Sequence, residues 1–451
     1  MSVTEIIIMV SQFLLSLSLL IILHEWGHYY PAKLFGTRVE KFYLFFDAWG
    51  KKLFSFTKNG TEYGIGWLPL GGYVKISGMI DESMDTEQLK QEPQEWEFRS
   101  KKPWQRLIIM LGGVTVNFVL AYLIFVFLSF TYGDKYLAND QLKDGIVVPA
   151  FIEEQIGLKT GDKIVSIDGE IPEQFNDIRA NLLFGEEVIV NRNGVNKTLH
   201  IPVNFLGTLV DADAKSLIDF PRPVVVGMIQ EDSPNLNSGL KANDILIEIE
   251  GKKVNYTQFA EVLKSKANQT ISMMVMNAKK EKRVVNVKVS KEGKLGIAIT
   301  SLSAADLDKL GFYTLSTKKY TFLESFGGGA TKFMSKLKLM GKNLKAIGNP
   351  KTGAYKGLGS FVSIAKIFPT TWNWQIFWNI TAFLSIMLGM LNLLPIPALD
   401  GGHAMFVLYE MVTGKKPSDK FLEYAQMVGF VLMMTLFVYA FGNDIYRHFI
   451  K

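Results

Sequence analysis

The chain contains no cysteine, which excludes disulfides and thiolate chemistry but leaves the compartment open. Histidine is nearly as scarce, with five in 451 residues, so any imidazole chemistry rests on very few side chains. Charged residues make up only 20 % against 48 % hydrophobic, and the mean hydropathy is +0.15. That balance suits a membrane core joined to one or two soluble domains, for which 451 residues are enough. Zinc-finger, arginine-rich and recognition-helix signatures are missing, so the net charge of +6 is assigned to lysines flanking membrane segments and no nucleic-acid partner is expected. The N-terminus also lacks the basic region and small-residue cleavage site of a signal peptide. Its first apolar segment is therefore expected to be retained as a transmembrane helix.

That segment organises everything else. Ile6 to Leu23 is uncharged and mostly apolar, long enough to cross a bilayer as a helix, and it runs directly into His24-Glu25-Trp26-Gly27-His28. Two histidines four apart share a helical face and can bind one metal, and Glu25 beside them is placed to take a proton from an activated water. A polar cluster at the edge of hydrocarbon is too costly to be idle.

Pro31 is expected to end or bend the helix. Residues 33–80 then change period: apolar and aromatic residues alternate with polar ones, Asn59-Gly60 signals a two-residue hairpin, and glycines recur through Gly71 and Gly72. A small sheet beside the motif is expected, with an edge able to pair with an unfolded substrate by strand addition. Leu107 to Phe130 forms a second uncharged run containing Gly112, Gly113 and Asn117. The glycines permit close helix approach, and an amide in hydrocarbon needs a partner.

Residues 133 to about 320 are charged and turn-rich, without a spanning segment. Gly157–Glu170 and Gly239–Lys252 align without a gap 82 residues apart, implying a duplicated β-rich module suited to peptide recognition or gating. Phe333, Leu337, Met340, Leu344 and Ile347 then recur at helical spacing with lysines largely opposite, an amphipathic helix expected at the membrane interface.

A third uncharged run, Ile367 to Leu399, is broken by Pro395 and Pro397 and meets Asp400, after which Gly401-Gly402 are expected to allow a tight turn. A carboxylate there belongs in a protein-lined cavity. His24 and His28 with Asp400 would give two nitrogens and an oxygen, the pattern of a catalytic zinc site, while His403 is the rival third ligand. Asn392 lies two helical turns earlier and could bond to substrate backbone. Tyr424 to Asn443 supplies a fourth span. Lysines and arginines follow spans one and three, so the positive-inside rule places those segments in the cytoplasm and the termini and duplicated modules outside.

In the stretches HEWGH (24–28), GIGWLPLGGYVKISG (64–78), KKPWQRLIIMLGGVTVNFVLA (101–121), NLLPIPALDGGH (392–403) and the paired repeats, the chain resembles the site-2 proteases, which are intramembrane zinc metalloproteases. The resemblance covers nearly the whole chain. It implies His24, His28 and Asp400 as Zn2+ ligands and Glu25 as general base. It further implies substrate positioning by Asn392, Asn117 and the segment Gly71, Gly72, Tyr73 and Val74. The fold it implies is a polytopic α-helical membrane protein: four transmembrane helices, a membrane-associated β-rich segment and two tandem PDZ-like domains in an extracytoplasmic insertion. The expected order is helix 1 (1–32), β-rich segment (33–80), interfacial loop (81–103), helix 2 (104–132) and PDZ-like domains (133–220, 221–302). A linker with the amphipathic helix (303–366), helix 3 (367–400), a loop (401–423), helix 4 (424–444) and a tail (445–451) complete it. The implied substrates are single-span membrane proteins, such as trimmed anti-sigma factors and signal-peptide remnants, in a bacterial inner membrane. Val114 departs from the proline usual in relatives, and Asn243 replaces the glycine found at Gly161. A metal transporter or a degenerate scaffold fits less well, since neither needs Glu25 beside His24.

Overall fold

The computed structural model describes residues 2–69, 71–79, 91–214, 216–254, 256–300 and 302–447. Residues 81–90 of the expected 81–103 loop and 448–451 of the C-terminal tail lie outside the described residues. Two compact units emerge, one comprising Met1–Gly133, Lys319–Lys345 and Gly357–Lys451, the other Asp134–Lys318 and Ala346–Lys356.

The first unit opens with helix α1, Val3–Leu34, started by a capping box in which the Ser2 hydroxyl accepts the Glu5 N–H and the Glu5 carboxylate accepts the Ser2 N–H. At about 1.5 Å per residue it exceeds the thickness of a bilayer's hydrocarbon, and it continues three residues past Pro31. Four strands follow: β1 Val39–Leu44, β2 Lys52–Lys58, β3 Thr61–Gly66 and β4 Tyr73–Ile76. Asn59 and Gly60 both have positive φ and turn β2 into β3, as their sequence foretells. The sheet order is β2-β3-β1-β4, so β4 is an edge strand paired on one side only, antiparallel to β1. Helix α2, Pro103–Tyr132, begins with proline at its first position. It crosses α1 where Gly27 meets Gly112: a Cβ on Gly27 would lie 2.5 Å from the Gly112 carbonyl oxygen. Only glycine permits this backbone-on-backbone contact.

The second unit runs from β5 (Asp134–Tyr136) through α3 (Ala150–Ile156), β6 (Lys163–Ile167), α4 (Phe175–Phe184), β7 (Glu187–Arg192), β8 (Val195–His200) and α5 (Phe205–Asp211). It continues with β9 (Val225–Ile229), β10 (Ile245–Ile249), β11 (Lys252–Lys253), α6 (Tyr256–Ser265), β12 (Thr270–Met276), β13 (Lys282–Lys288), β14 (Ile297–Thr300), α7 (Ala304–Leu310) and β15 (Ser316–Lys318). One sheet is ordered β6-β7-β8; another is β13-β12-β10-β9-β14, with β11 on β10. Each covers its own apolar core, one around Ile152, Ile178 and Val188, the other around Leu246, Val275 and Val287.

The two aligned sequence segments place the same features at the same offsets. Gly157 and Gly239, Gly161 and Asn243, Asp168 and Glu250, and Gly169 and Gly251 all have positive φ. Asparagine is among the few side chains tolerated in that region, which is why Asn243 can stand where Gly161 stands. Asp162 is buried and pairs with Arg192 at 2.7 Å while accepting the Lys159 N–H; Asp244 pairs with Arg283 while accepting the Lys241 N–H. Only the carboxylates are deeply buried; Arg192 and Arg283 keep part of their side chains in solvent, so each pair is anchored by its aspartate.

The chain returns to the first unit in α8, Phe322–Ile347, longer than its amphipathic stripe suggests. Phe333, Leu337, Met340 and Leu344 pack on Ala121, Phe125 and Leu128 of α2 and on Ala382 and Ile386 further along. After the short α9 (Phe361–Ala365) come α10 (Trp374–Asn392), α11 (Asp400–Thr413) and α12 (Asp419–Ile445). Helices α1, α2, α10 and the stretch Lys420–Ile445 of α12 are long and apolar enough to cross a membrane. The third apolar run therefore enters its helix at Trp374, and the helix breaks after Asn392. Gly401 and Gly402 are helical and do not form the turn expected of them. Their lack of side chains lets the first turn of α11 fit against the carbonyls of Leu393, Leu394 and Ile396. Ala398 carries the positive φ, at 82°.

Candidate metal centre and the cleft around it

His24 and His28 stand on one face of α1, and the break between α10 and α11 delivers Asp400 to them. His24 Nε2, His28 Nε2 and Asp400 Oδ2 lie 3.3 Å from one another, all three ways. In a tetrahedral shell, ligand atoms are separated by about 1.6 bond lengths. A 3.3 Å triangle therefore corresponds to metal–ligand bonds of about 2.0 Å, the value for zinc with imidazole and carboxylate.

The protonation pattern agrees. His28 Nδ1 lies 2.8 Å from the Ile109 carbonyl, which can only accept, so the proton sits on Nδ1 and Nε2 presents a lone pair. Asn117 Nδ2 lies 3.0 Å from His24 Nδ1, and its Oδ1 is buried without a partner; turning the amide over would let Oδ1 accept from Nδ1–H, the tautomer that leaves the His24 Nε2 lone pair for a metal. Asp400 Oδ2 is buried without a hydrogen-bond partner. Two lone pairs and an anionic oxygen converging within 3.3 Å repel unless a cation lies among them, and this donor set fits zinc.

Gly113 makes room for the triangle. A Cβ there would stand 2.7 Å from His24 Cε1 and closer still to His28 Nε2. The sequence marks Gly113 as a site of close helix approach but not that the imidazoles of His24 and His28 are what approach. Asn117, expected to position substrate, is wholly buried behind His24 and does not line the cleft.

The cleft, about 490 Å³, is lined by the triad and by Glu25, Gly71, Gly72, Tyr73, Val74, Asn392 and Gln426, among others. Glu25 lies outside the three-atom cluster and shares the cleft with Val74 of edge strand β4. Asn392 ends α10 with its amide 3.1 Å from His24 Nε2. His403 faces the same cleft without joining the cluster. At the outer end of β4, the Tyr73 hydroxyl donates to Asp47 at 2.8 Å and Lys41 donates to the same carboxylate at 3.0 Å. Burial would raise the Asp47 pKa, but these two donors outweigh it and hold the carboxyl below its usual range. Burial, reinforced by that carboxylate, pushes the Tyr73 phenol upward, so it remains a donor.

The sequence pattern that defines peptidase family M50 matches residues 12–436. The chain belongs to peptidase family M50. This M50 peptidase is 27 % identical to the regulator of sigma E protease of Haemophilus influenzae, over 97 % of this chain and 98 % of that protein. It is 26 % identical to protease RseP of Yersinia pestis, again over 97 % and 98 %. The M50 chain is a zinc metalloendopeptidase related to RseP and the site-2 proteases. With four candidate spans it is a multi-pass membrane protein, and its chemistry is intramembrane proteolysis of protein substrates.

Proposed function

We propose that His24, His28 and Asp400 hold the zinc ion and that Glu25 is the general base in hydrolysis of substrate transmembrane segments. The observation that carries this reading is the equilateral triangle of ligand atoms on membrane-spanning elements, with Glu25 beside it in one cleft. Zinc held there supplies Lewis acidity toward the scissile carbonyl and the attacking water. Glu25 takes a proton from that water as it adds to the carbonyl carbon. It returns a proton to the nitrogen as the C–N bond breaks, leaving a carboxylate and an amine. Asn117 holds the His24 tautomer, and Asn392 donates to substrate backbone.

A helical substrate has its backbone bonds satisfied internally and must be unwound before its carbonyl can be reached. The free edge of β4, from Gly71 to Val74 and on to Ile76, supplies replacement backbone partners in that cleft by strand addition. The substrates on this reading are single-span proteins already trimmed outside, anti-sigma factors and signal-peptide remnants; the name of the Haemophilus relative, regulator of sigma E protease, supports the former. The duplicated β-rich modules act as PDZ-like domains on the periplasmic side of a bacterial inner membrane. There they filter out substrates with bulky outer domains, while the metal centre lies near the cytoplasmic side.

One assay tests the reading. A type II single-span protein, with and without a folded outer domain, is incubated with wild type and with Glu25→Gln. Cleavage of the trimmed form by wild type only is expected, with the bulky form cut at least about tenfold more slowly. Cleavage by Glu25→Gln at the wild-type rate contradicts the general-base assignment, and equal cleavage of both forms contradicts the filter.

A further inference from the structure

Asp400 leaves its helix break through Ala398 and Leu399, and one side chain from another helix reaches that break. Gln426 of α12 is buried, and its Oε1 accepts the Ala398 N–H at 3.1 Å. The other N–H donors described in the break bond locally: Leu394 to Leu391, Ile396 to Leu394 and Leu399 to Ile396, while Pro395 and Pro397 donate nothing. Gln426 is thus the tether from a distant element among the described backbone donors of the break. It acts on its most restrained residue, since Ala398 has φ 82° and no side-chain polar group of its own to support that conformation.

Gly429, three residues along α12, completes the seat. A Cβ there would overlap the Pro397 carbonyl. Helix α12 is otherwise loosely held, with 11 % of its apolar window buried against 33–39 % in the other three spans. Other polar anchors sit at the far end, where Asp444 accepts from Ser360 and Ser363 and Asn443 donates to the Leu358 carbonyl. A primary amide buried in a membrane helix demands a partner, and this one is used two residues before the ligand carboxylate.

We propose that Gln426 is a positioning residue of the metal centre: its Oε1 holds the left-handed turn at Ala398, and that turn sets Asp400 Oδ2 at the third corner of the ligand triangle. The proposal rests on reading Asp400 as a zinc ligand. Zinc retention and turnover then depend on a side chain that is not itself one of the clustered ligand groups.

The test uses the full-length protein in detergent or nanodiscs, loaded with zinc, and measures zinc release to a chelator together with kcat and KM. Gln426→Met keeps the length and removes the acceptor; Gln426→Leu is a second apolar variant read in the same way. Either should release zinc about tenfold faster, the lower end for loss of an outer support to a metal ligand. The fall in activity should lie in kcat, with KM within about twofold. Gln426→Glu retains an acceptor oxygen and should recover most of the zinc retention. Ala398→Gly placed in the Gln426→Met background should do the same, because glycine occupies positive φ without a tether. Asp400→Ala is the control. If it loses zinc while Gln426→Met and Gln426→Leu hold it as wild type does, the positioning role is overturned and the ligand assignment stands. Losses in Gln426→Met that neither Gln426→Glu nor Ala398→Gly repairs overturn the role as well, because Gln426 would then act through packing. Full zinc retention by Asp400→Ala overturns the ligand reading beneath it.

Discussion

Gly113 controls the metal centre by having no side chain. The imidazoles of His24 and His28 occupy the volume its Cβ would need, and backbone contact between Gly27 and Gly112 fixes the helix spacing one residue away. Neither helix can withdraw without losing that contact. Gly113→Ala should therefore displace the ligands while leaving all of them in the chain: zinc per chain should fall by more than half and proteolysis by at least about a hundredfold, although alanine is the better helix former by about 1 kcal/mol. Zinc content and cleavage of the purified variant check this, and wild-type values for both would show that the imidazoles can give way by more than about half an ångström. Asn117, legible in the sequence as an amide needing a partner, lies against His24 Nδ1. An isolated amide in hydrocarbon announces a partner but not its identity; the substrate role assigned to Asn117 comes from the family resemblance. Gln426 carries the same signal within the apolar run from Tyr424 to Asn443.

At the scale of elements, the break between α10 and α11 and the edge strand β4 matter most. The sequence shows the break through Pro395 and Pro397, but it does not show which residue takes the left-handed conformation. Gly401 and Gly402 are the obvious choices from φ preference. The structure spends them on close packing and leaves the turn to Ala398, because steric demand from the Leu393, Leu394 and Ile396 carbonyls outweighs the conformational preference. Strand β4 was legible as a glycine-rich alternating stretch. Its edge position was not, since order in a sheet with a parallel β1–β3 pair is decided by long-range contacts. Single proline substitutions at Gly72 and Ile76 remove N–H donors from this free edge, whereas Tyr73 and Lys75 alternate with them and face β1; Val74, beside Glu25 in the cleft, is left unchanged. These variants should slow cleavage of a helical substrate by at least about tenfold while changing cleavage of a helix-destabilised version by less than about threefold. Equal loss on both substrates would contradict strand addition.

On the scale of the whole molecule, four apolar helices and an inserted β-rich unit follow from hydropathy and periodicity, which depend on local sequence alone. The joining of residues 24, 28 and 400 into one triangle does not, because it depends on how α1, α2 and α10 cross. Metal chemistry could be read from HExxH and a distant aspartate. The crossing that makes it work is set by Gly27, Gly112 and Gly113, whose partners only the folded chain reveals. The central claim separates ligation from proton transfer: three side chains hold zinc and a fourth moves protons. Zinc per chain measured by elemental analysis on purified Glu25→Gln and Asp400→Ala, alongside proteolysis, tests it most directly. The account predicts about one zinc per chain and no cleavage for Glu25→Gln, and neither zinc nor cleavage for Asp400→Ala. A folded Glu25→Gln without zinc, or an Asp400→Ala with full zinc and near-normal turnover, would contradict it.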